Sequence, residues 1–298
     1  MRVAVTGASG LIGGELVAEL GRQGHDVVRL VRRAAGAGEA AWDPVAGTVE
    51  AAKLEGLDGV VHLAGAGIGD HRWTDDHKRS VLDSRVKGTD LLARTLAGLS
   101  APPEVLVAGS AVGYYGFESH EPVTEADPRG RGFLADVVVA WEGAAAPAAE
   151  AGIRVVHARS GVVLTAKGGA LKKQLPAFKT GIGGRLGDGR QWLSWISLDD
   201  EVAALIHLLA TADVRGAVNV TSPEPVTNRE FTATLGRVLK RPTFLPVPTP
   251  ALHALFGAEM TEEMLLGGQR VLPEVLRASG FRFAHPLLEG ALRHTLGR

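Results

Sequence analysis

Two stretches of this chain have the residue types and spacing for chemistry at a bound nucleotide. The first, "VTGASGLIGGEL" (5–16), sets Gly7, Gly10 and Gly13 three residues apart where an apolar run gives way to a helical period. Gly7 permits the tight turn, Gly10 lets backbone N–H groups approach a pyrophosphate, and Gly13 lets the helix sit close on the strand. The helix N-terminus adds unpaired donors and a positive dipole end. Gly7, Ser9, Gly10, Leu11, Ile12 and Gly13 are therefore placed at a dinucleotide. A turn that uses glycine for steric reasons alone is the plainer alternative; the agreement of position, strand and helix weighs against it.

The second stretch, "GHDVVRLVRR" (24–33), bears on which dinucleotide. A site for NAD needs a carboxylate at the end of the second strand to accept hydrogen bonds from the adenosine ribose. Val31 stands there, followed by Arg32 and Arg33. Valine accepts nothing, whereas guanidinium groups suit a 2′-phosphate. NADP(H) is the expected cofactor. Arg33 taken alone could equally mark the exit of a buried strand into solvent.

Groups that could act on a substrate come later. "SAVGYYG" (110–116) offers the hydroxyls of Ser110, Tyr114 and Tyr115, the chain's only two tyrosines. They could orient or protonate a substrate oxygen, or simply pack the loop. In the Gly-rich "KTGIGGRLGDGRQW" (179–192) and the residues just after it, Arg185 and Arg190 could pair with an anionic substrate. Gln191, Trp192 and Trp195 would supply hydrogen bonds and a flat wall, unless the tryptophans belong to a core between two lobes. His62 in "VVHLAG" reads as a buried strand histidine rather than an acid or base. No His, Asp or Glu spacing suggests a metal, and "DDHKR" (75–79) reads as a solvated helix face.

The elements that must position these residues follow from the hydropathy pattern. Runs at 2–7, 26–33, 59–67, 104–113, 153–164 and 216–222 are apolar throughout rather than alternating, and helical periods such as 11–23 separate them. Strands of that kind are covered on both faces, which implies an α/β fold: a doubly wound parallel (Rossmann) sheet. The stretch 32–42 reads as a flexible surface loop, and "SLDD" (197–200) as a helix N-cap. A division follows, with 1–166 and 196–222 as the nucleotide-binding domain and 167–195 and 223–298 as a smaller substrate lobe.

Composition limits the partners. With 298 residues and 45% hydrophobic content the chain can bury a large core. A net charge of −1 provides no field for nucleic acid or an anionic membrane, so a small-molecule partner is expected. The absence of cysteine excludes thiolate catalysis and suits a cytoplasmic setting. No run approaches the length of a membrane span. Nothing in the pattern sets an oligomeric state.

The glycine spacing, "VVHLAGAG" and "RVKGT" (85–89) resemble the extended short-chain dehydrogenase/reductases. More narrowly, "SAVGYYG", "FLADVVVAWE", "GDGRQWLSWISLDD", "NVTSPEPVTNREF" and "RVLPEVLRASGFRFAHPLLEGAL" resemble an atypical, epimerase-like branch with its own C-terminal domain of unknown function. That resemblance implies an NADP(H)-binding oxidoreductase or epimerase-like protein, with Leu63 and Ala64 along the adenosine side. It also implies a cofactor contact for Arg85, which stands where typical members have asparagine, and for Ser110. Active members rely on a Tyr-x-x-x-Lys pair. Here the residues four beyond the tyrosines are Glu118 and Ser119, and Leu134 and Val138 occupy the expected places on the helix that starts near Phe133. The usual serine position is Ala111, one residue from Ser110. A cofactor-binding sensor with little turnover is therefore the alternative to an enzyme with a substituted proton donor.

Overall fold

The computed structural model describes residues 1–117 and 121–298. In chain order the first half contains β1 (Arg2–Thr6), α1 (Leu11–Arg22), β2 (Asp26–Val31), β3 (Glu39–Asp43), β4 (Thr48–Val49), β5 (Gly59–His62), α2 (Asp75–Ala97), β6 (Val105–Ala111), β7 (Pro122–Val123), α3 (Phe133–Gly143), α4 (Ala146–Glu150) and β8 (Arg154–Ser160). The second half continues with β9 (Val162–Leu164), α5 (Gly169–Thr180), β10 (Trp192–Leu193), β11 (Trp195–Ser197), α6 (Leu198–Ala210), β12 (Gly216–Val220), β13 (Val226–Thr227), α7 (Asn228–Leu239), α8 (Thr249–Phe256), α9 (Ala258–Met260), β14 (Arg270–Val271), α10 (Glu274–Ala278) and α11 (Leu288–Leu296).

Eight strands form the main sheet in the order β12-β8-β6-β5-β1-β2-β3-β4. Every pairing is parallel except β3 with β4. Continuous apolar strands explain that topology, because successive side chains feed opposite cores. In β1, Val3 and Val5 join Leu16 and Leu20 of α1 and Leu205 and Leu208 of α6. Ala4, between them, joins Leu92 and Leu96 of α2 on the other face. The chain steps from β1 outward to β2 and then returns to β5 on the far side. That reversal opens a crevice at the C-terminal ends of β1, β2 and β5, where ligands bind in such sheets.

The stretch 32–42 departs from the flexible loop expected of it. Its second half is β3, which pairs with β2 through Arg29↔Glu39 and Val31↔Ala41. Ala40 and Trp42 are buried, and the Trp42 ring stands edge-on to His62 with centroids 5.9 Å apart. Burial of Trp42 beneath the sheet edge overrides a composition of alanine and glycine that has little strand preference.

Residues after Leu164 build a third cluster, in which Leu171, Leu175 and Phe178 of α5 meet Phe231 and Leu235 of α7 and Leu292 of α11. Helix α6 begins as its sequence indicates: the Ser197 hydroxyl accepts from Asp200 N at 3.0 Å. A reciprocal Thr227–Glu230 capping box opens α7. No helix among the described residues is long and apolar enough to cross a membrane.

Candidate functional site

The turn after β1 places its glycines under steric constraint. Gly7 has φ of +66°, and a Cβ there would lie 2.9 Å from the Leu63 carbonyl carbon. A Cβ on Gly13 would stand 2.2 Å from the Gly7 carbonyl oxygen, so α1 sits against the turn only because that position has no side chain. Thr6 ties the turn to the next strand, its hydroxyl accepting from Leu63 N at 3.0 Å and Ala64 N at 3.2 Å. The same oxygen lies 2.7 Å from Nδ1 of His62. Burial pushes the His62 imidazole down to about 4, so it is a neutral structural group.

Helix α1 starts without a cap. Gly10 occupies the N-cap, no side chain accepts from the first turn, and that turn contains no acidic residue. Its N–H groups and dipole end are therefore available to an anion. They face a cleft of about 1230 Å³ lined by Gly7, Ser9, Gly10, Arg32, Leu63 and Ala64. The side chains of Leu11 and Ile12 point elsewhere: a Cβ at Gly168 would meet Leu11 Cδ1 at 3.0 Å, and Ile12 packs on the sheet core. Only their backbone groups serve the turn.

The two arginines after β2 have different environments. Arg33 forms a bidentate pair with Glu39, Nη1–Oε2 and Nη2–Oε1 both 2.8 Å. Arg29 adds a 3.1 Å contact, and Gly36 N donates to the same carboxylate at 2.9 Å. The Arg33 pair and the Gly36 N–H hold Glu39 down to about 2, so it is ionised and neutralised by its own arginines. Arg32 is exposed on the cleft and makes no hydrogen bond or ion pair among the described residues. The chain thus leaves one guanidinium free at the cleft and commits the other to Glu39. Glu39 escaped the sequence reading because it sits six residues beyond Arg33, on a strand that was not anticipated.

Arg85 is not at the cleft wall. Its Nη1 donates to Ala66 O at 2.9 Å and Val81 O at 3.2 Å, and its guanidinium stacks over Trp141 at 4.9 Å. Burial lowers its pKa to about 10. The residue braces the loop after β5 through Ala66, which itself lines the cleft. Trp42, Pro44, Ser84 and Lys87 also line the cleft, which sequence spacing did not indicate.

Of the three hydroxyls considered for proton transfer, those of Ser110 and Tyr115 converge on one buried ion pair. Arg159 of β8 meets Glu142 of α3 at 2.8 Å and 2.9 Å. Ser110 Oγ donates to Glu142 Oε1 at 2.6 Å, Arg159 Nη1 donates to the Tyr115 hydroxyl at 3.0 Å, and that hydroxyl donates to Asn219 Oδ1 at 2.8 Å. The guanidinium also lies 3.4 Å from the centre of the Tyr114 ring. Burial opposes the Glu142 charge, but Arg159 and Ser110 outweigh it and leave the carboxyl below its usual range. Burial raises the Tyr115 phenol above its ordinary value. Ser110 and Tyr115 are thus committed to a structural network, while the Tyr114 hydroxyl has no partner among the described residues.

The Gly-rich segment divides as well. Arg190 and Trp192 line a second, shallower depression with Gly189, Thr227 and Arg229. Arg185 packs against Gly189, and its Nε is buried without a partner among the described residues. Gln191 is turned to backbone, donating to Leu265 O at 2.9 Å. Trp195 is fully buried, its indole donating to Glu224 O at 2.9 Å, so it is a core residue and not a substrate wall. It belongs to β11, which pairs with β9, and that register turns its ring inward.

The model of the NAD dependent epimerase/dehydratase family matches residues 3–221, and a domain of unknown function matches 247–295. The chain belongs to the NAD dependent epimerase/dehydratase family. It is 46% identical over 297 residues to an epimerase family protein of Mycobacterium bovis, covering 99% of this chain and 98% of that one. The crystal structure of human epimerase family protein SDR39U1 with NADPH superposes with a TM-score of 0.92 at 35% identity, covering both chains completely. A nucleoside-diphosphate sugar epimerase from Corynebacterium glutamicum matches with a TM-score of 0.79 at 35% identity, over all of this chain and 58% of that one.

The two residues expected at the places of a tyrosine–lysine pair are apolar and lie on one helix. Leu134 and Val138 lie on α3, Val138 is buried, and a Cβ on Gly113 would meet the Leu134 Cβ at 3.3 Å. Glu118 and Ser119, which stand where a lysine would follow the tyrosines, lie outside the described residues.

Proposed function

We propose that this chain binds NADP(H) in the cleft beside Gly7. We further propose that it acts as an oxidoreductase or epimerase-like protein on a small metabolite, without a Tyr-x-x-x-Lys pair. The observation that carries the cofactor is the unpaired Arg32 at the ribose end, next to a Glu39 already neutralised by Arg33 and Arg29. A carboxylate so engaged is a poor acceptor for a ribose 2′-hydroxyl, and a free guanidinium suits a 2′-phosphate. NADPH in the human relative supports the same choice. The pyrophosphate would rest on the uncapped N-terminus of α1, with Gly7 and Gly10 giving backbone access.

When bound, the nicotinamide supplies hydride transfer. The chain's own contribution is to position the substrate. Arg185, Arg190 and Trp192 are the proposed contacts, in a lobe formed by 167–195 and 223–298, with 1–166 and 196–222 holding the nucleotide. Tyr114 is the remaining candidate to donate a proton, since Ser110 and Tyr115 are already engaged. A cytoplasmic setting fits a cysteine-free chain and a small soluble ligand.

One observation favours a second reading, a nucleotide-binding protein with little turnover. The Glu142–Arg159 network absorbs two of the three hydroxyls that the chemistry would otherwise use. Calorimetric titration with NADPH and NADH tests the cofactor, and tight NADPH binding over weak NADH binding is expected. NADPH oxidation in the presence of a panel of small carbonyl compounds then separates an enzyme from a sensor. Equal affinities for the two nucleotides would remove the basis of the proposal.

A further inference from the structure

Away from the nucleotide cleft, three side chains that are remote in sequence meet at one point. Asp199 is the second residue of α6, His285 precedes α11, and His294 lies within α11. Asp199 Oδ2 is 2.5 Å from His294 Nε2 and 3.8 Å from His285 Nε2, and the donor atoms of all three lie within 4.8 Å of one another. The two imidazoles stack with centroids 4.2 Å apart and planes inclined by 26°. None of the three lines the cleft.

We propose that Asp199, His285 and His294 form a binding site for a divalent transition metal, with zinc as the best-fitting ion. An aspartate and one histidine would satisfy each other as a simple pair. The second ring changes the chemistry: it directs Nε2 at the same oxygen from 3.8 Å, beyond hydrogen-bond reach. Two nitrogens and one oxygen converging around a single hydrogen bond are the donor set of a three-ligand zinc site with an open fourth position. Metal–ligand bonds of about 2.0–2.2 Å in a tetrahedron separate the donors by about 3.3 Å. The observed 2.5 Å and 3.8 Å bracket that spacing and the third donor pair lies within 4.8 Å, so closure around an ion needs shifts of up to about 1.5 Å.

The supports of the site are already in place. Asp200 Oδ1 accepts from Ala284 N at 2.7 Å and Oδ2 from His285 N at 3.0 Å, which pins the backbone of one ligand to the start of α6. Leu288, Ala291 and Leu292 bury the inner face of α11 and hold the helix that carries His294. The side chains of Asp199 and His294 are 57% and 54% exposed, so both can adjust and an ion has access. A bound metal would staple the C-terminal helix to α6. This assignment is independent of the nucleotide reading.

Titration of the full chain with Zn²⁺ by calorimetry, and with Co²⁺ by visible absorption, tests the site. One saturable ion per chain is expected, with a tetrahedral cobalt spectrum and a rise in Tm on zinc addition. The double variant His285→Ala/His294→Ala should lose at least tenfold in affinity together with the cobalt signal, and Asp199→Asn should weaken binding by a similar factor. Circular dichroism checks that each variant is folded. His71 and His77, whose rings meet edge-on 5.4 Å apart outside this cluster, supply the control: His71→Ala/His77→Ala should bind as the wild type does. No saturable binding by the wild type, or equal binding by the His285/His294 double variant, would overturn the proposal.

Discussion

Arg33 and Glu39 face each other across the rim of the nucleotide cleft in a fork-to-fork pair, both N–O distances 2.8 Å. The pair neutralises the Glu39 carboxylate and leaves Arg32 exposed beside it on the cleft. Charge-assisted hydrogen bonds contribute about 1.5–3 kcal/mol each, equivalent to roughly ten- to a hundredfold in affinity. Arg32→Ala should therefore narrow the gap between NADPH and NADH chiefly by weakening NADPH. Calorimetry on wild type and variant decides it, and equal loss for both nucleotides would show that Arg32 does not read the phosphate.

Arg33→Ala should act differently, because it releases Glu39 rather than a phosphate contact. With the bidentate partner gone, the Glu39 carboxylate faces the cleft and repels a 2′-phosphate. NADPH should weaken while NADH is unchanged or tighter. Restoration of NADPH affinity in Arg33→Ala/Glu39→Gln would confirm that the two residues act as a unit, and a double variant no better than the single would reject it.

Neighbouring glycines of α1 should respond in opposite ways. Gly13→Ala drives a methyl to 2.2 Å from the Gly7 carbonyl, so the turn must open, with loss of stability and at least tenfold loss of NADPH affinity. Gly14→Ala meets only Ala8 O at 3.7 Å and should raise stability by up to about 1 kcal/mol through helix propensity. Thermal melts and calorimetry on the two variants provide the comparison; a Gly13→Ala protein that binds normally would show that the close approach is dispensable.

The Arg159–Glu142 pair predicts a large stability effect. Their side chains are 5% and 13% exposed, and removing one partner of such a pair strands the other at a cost of about 3–5 kcal/mol. Glu142→Ala should lower the urea midpoint accordingly. Glu142→Ala/Arg159→Met should recover part of the loss, because the uncompensated charge is gone. Denaturant unfolding of the three proteins measures the coupling.

Glu201 should make stability depend on pH. The side chain is fully buried, bonded through Oε1 to Ser160 Oγ at 2.6 Å, and burial pushes its carboxyl up to about 7. The unfolded carboxyl titrates near its ordinary value of 4.5. Between those two values the folded state binds the extra proton, so this stabilisation is complete below the unfolded pKa and is lost as pH rises to about 7. The loss is on the order of 3 kcal/mol. Glu201→Gln should flatten the profile and gain on the wild type at pH 8 relative to pH 5. Identical slopes for the two proteins would assign the pH dependence elsewhere.

Much of the fold was legible because its signals are local. Three glycines at a strand-to-helix junction, strands apolar on both faces, the Ser197 cap and the missing tyrosine–lysine pair are properties of short stretches, and short-range sterics and periodicity fix them. Tertiary structure decided the rest by bringing distant segments into register. Formation of β3 tied Arg33 to Glu39, and the packing of Arg85 on Trp141 engaged its guanidinium with the Ala66 carbonyl. The Glu142–Arg159 pair gathered Ser110 from β6 and Tyr115 from the turn after it, and the pairing of β11 with β9 sent Trp195 into the core. The meeting of Asp199 with His285 and His294 spans nearly a hundred residues. Side-chain partners of this kind depend on which faces the packing brings together, and residue spacing along one segment carries no information about a second segment that the sheet and its helices place beside it.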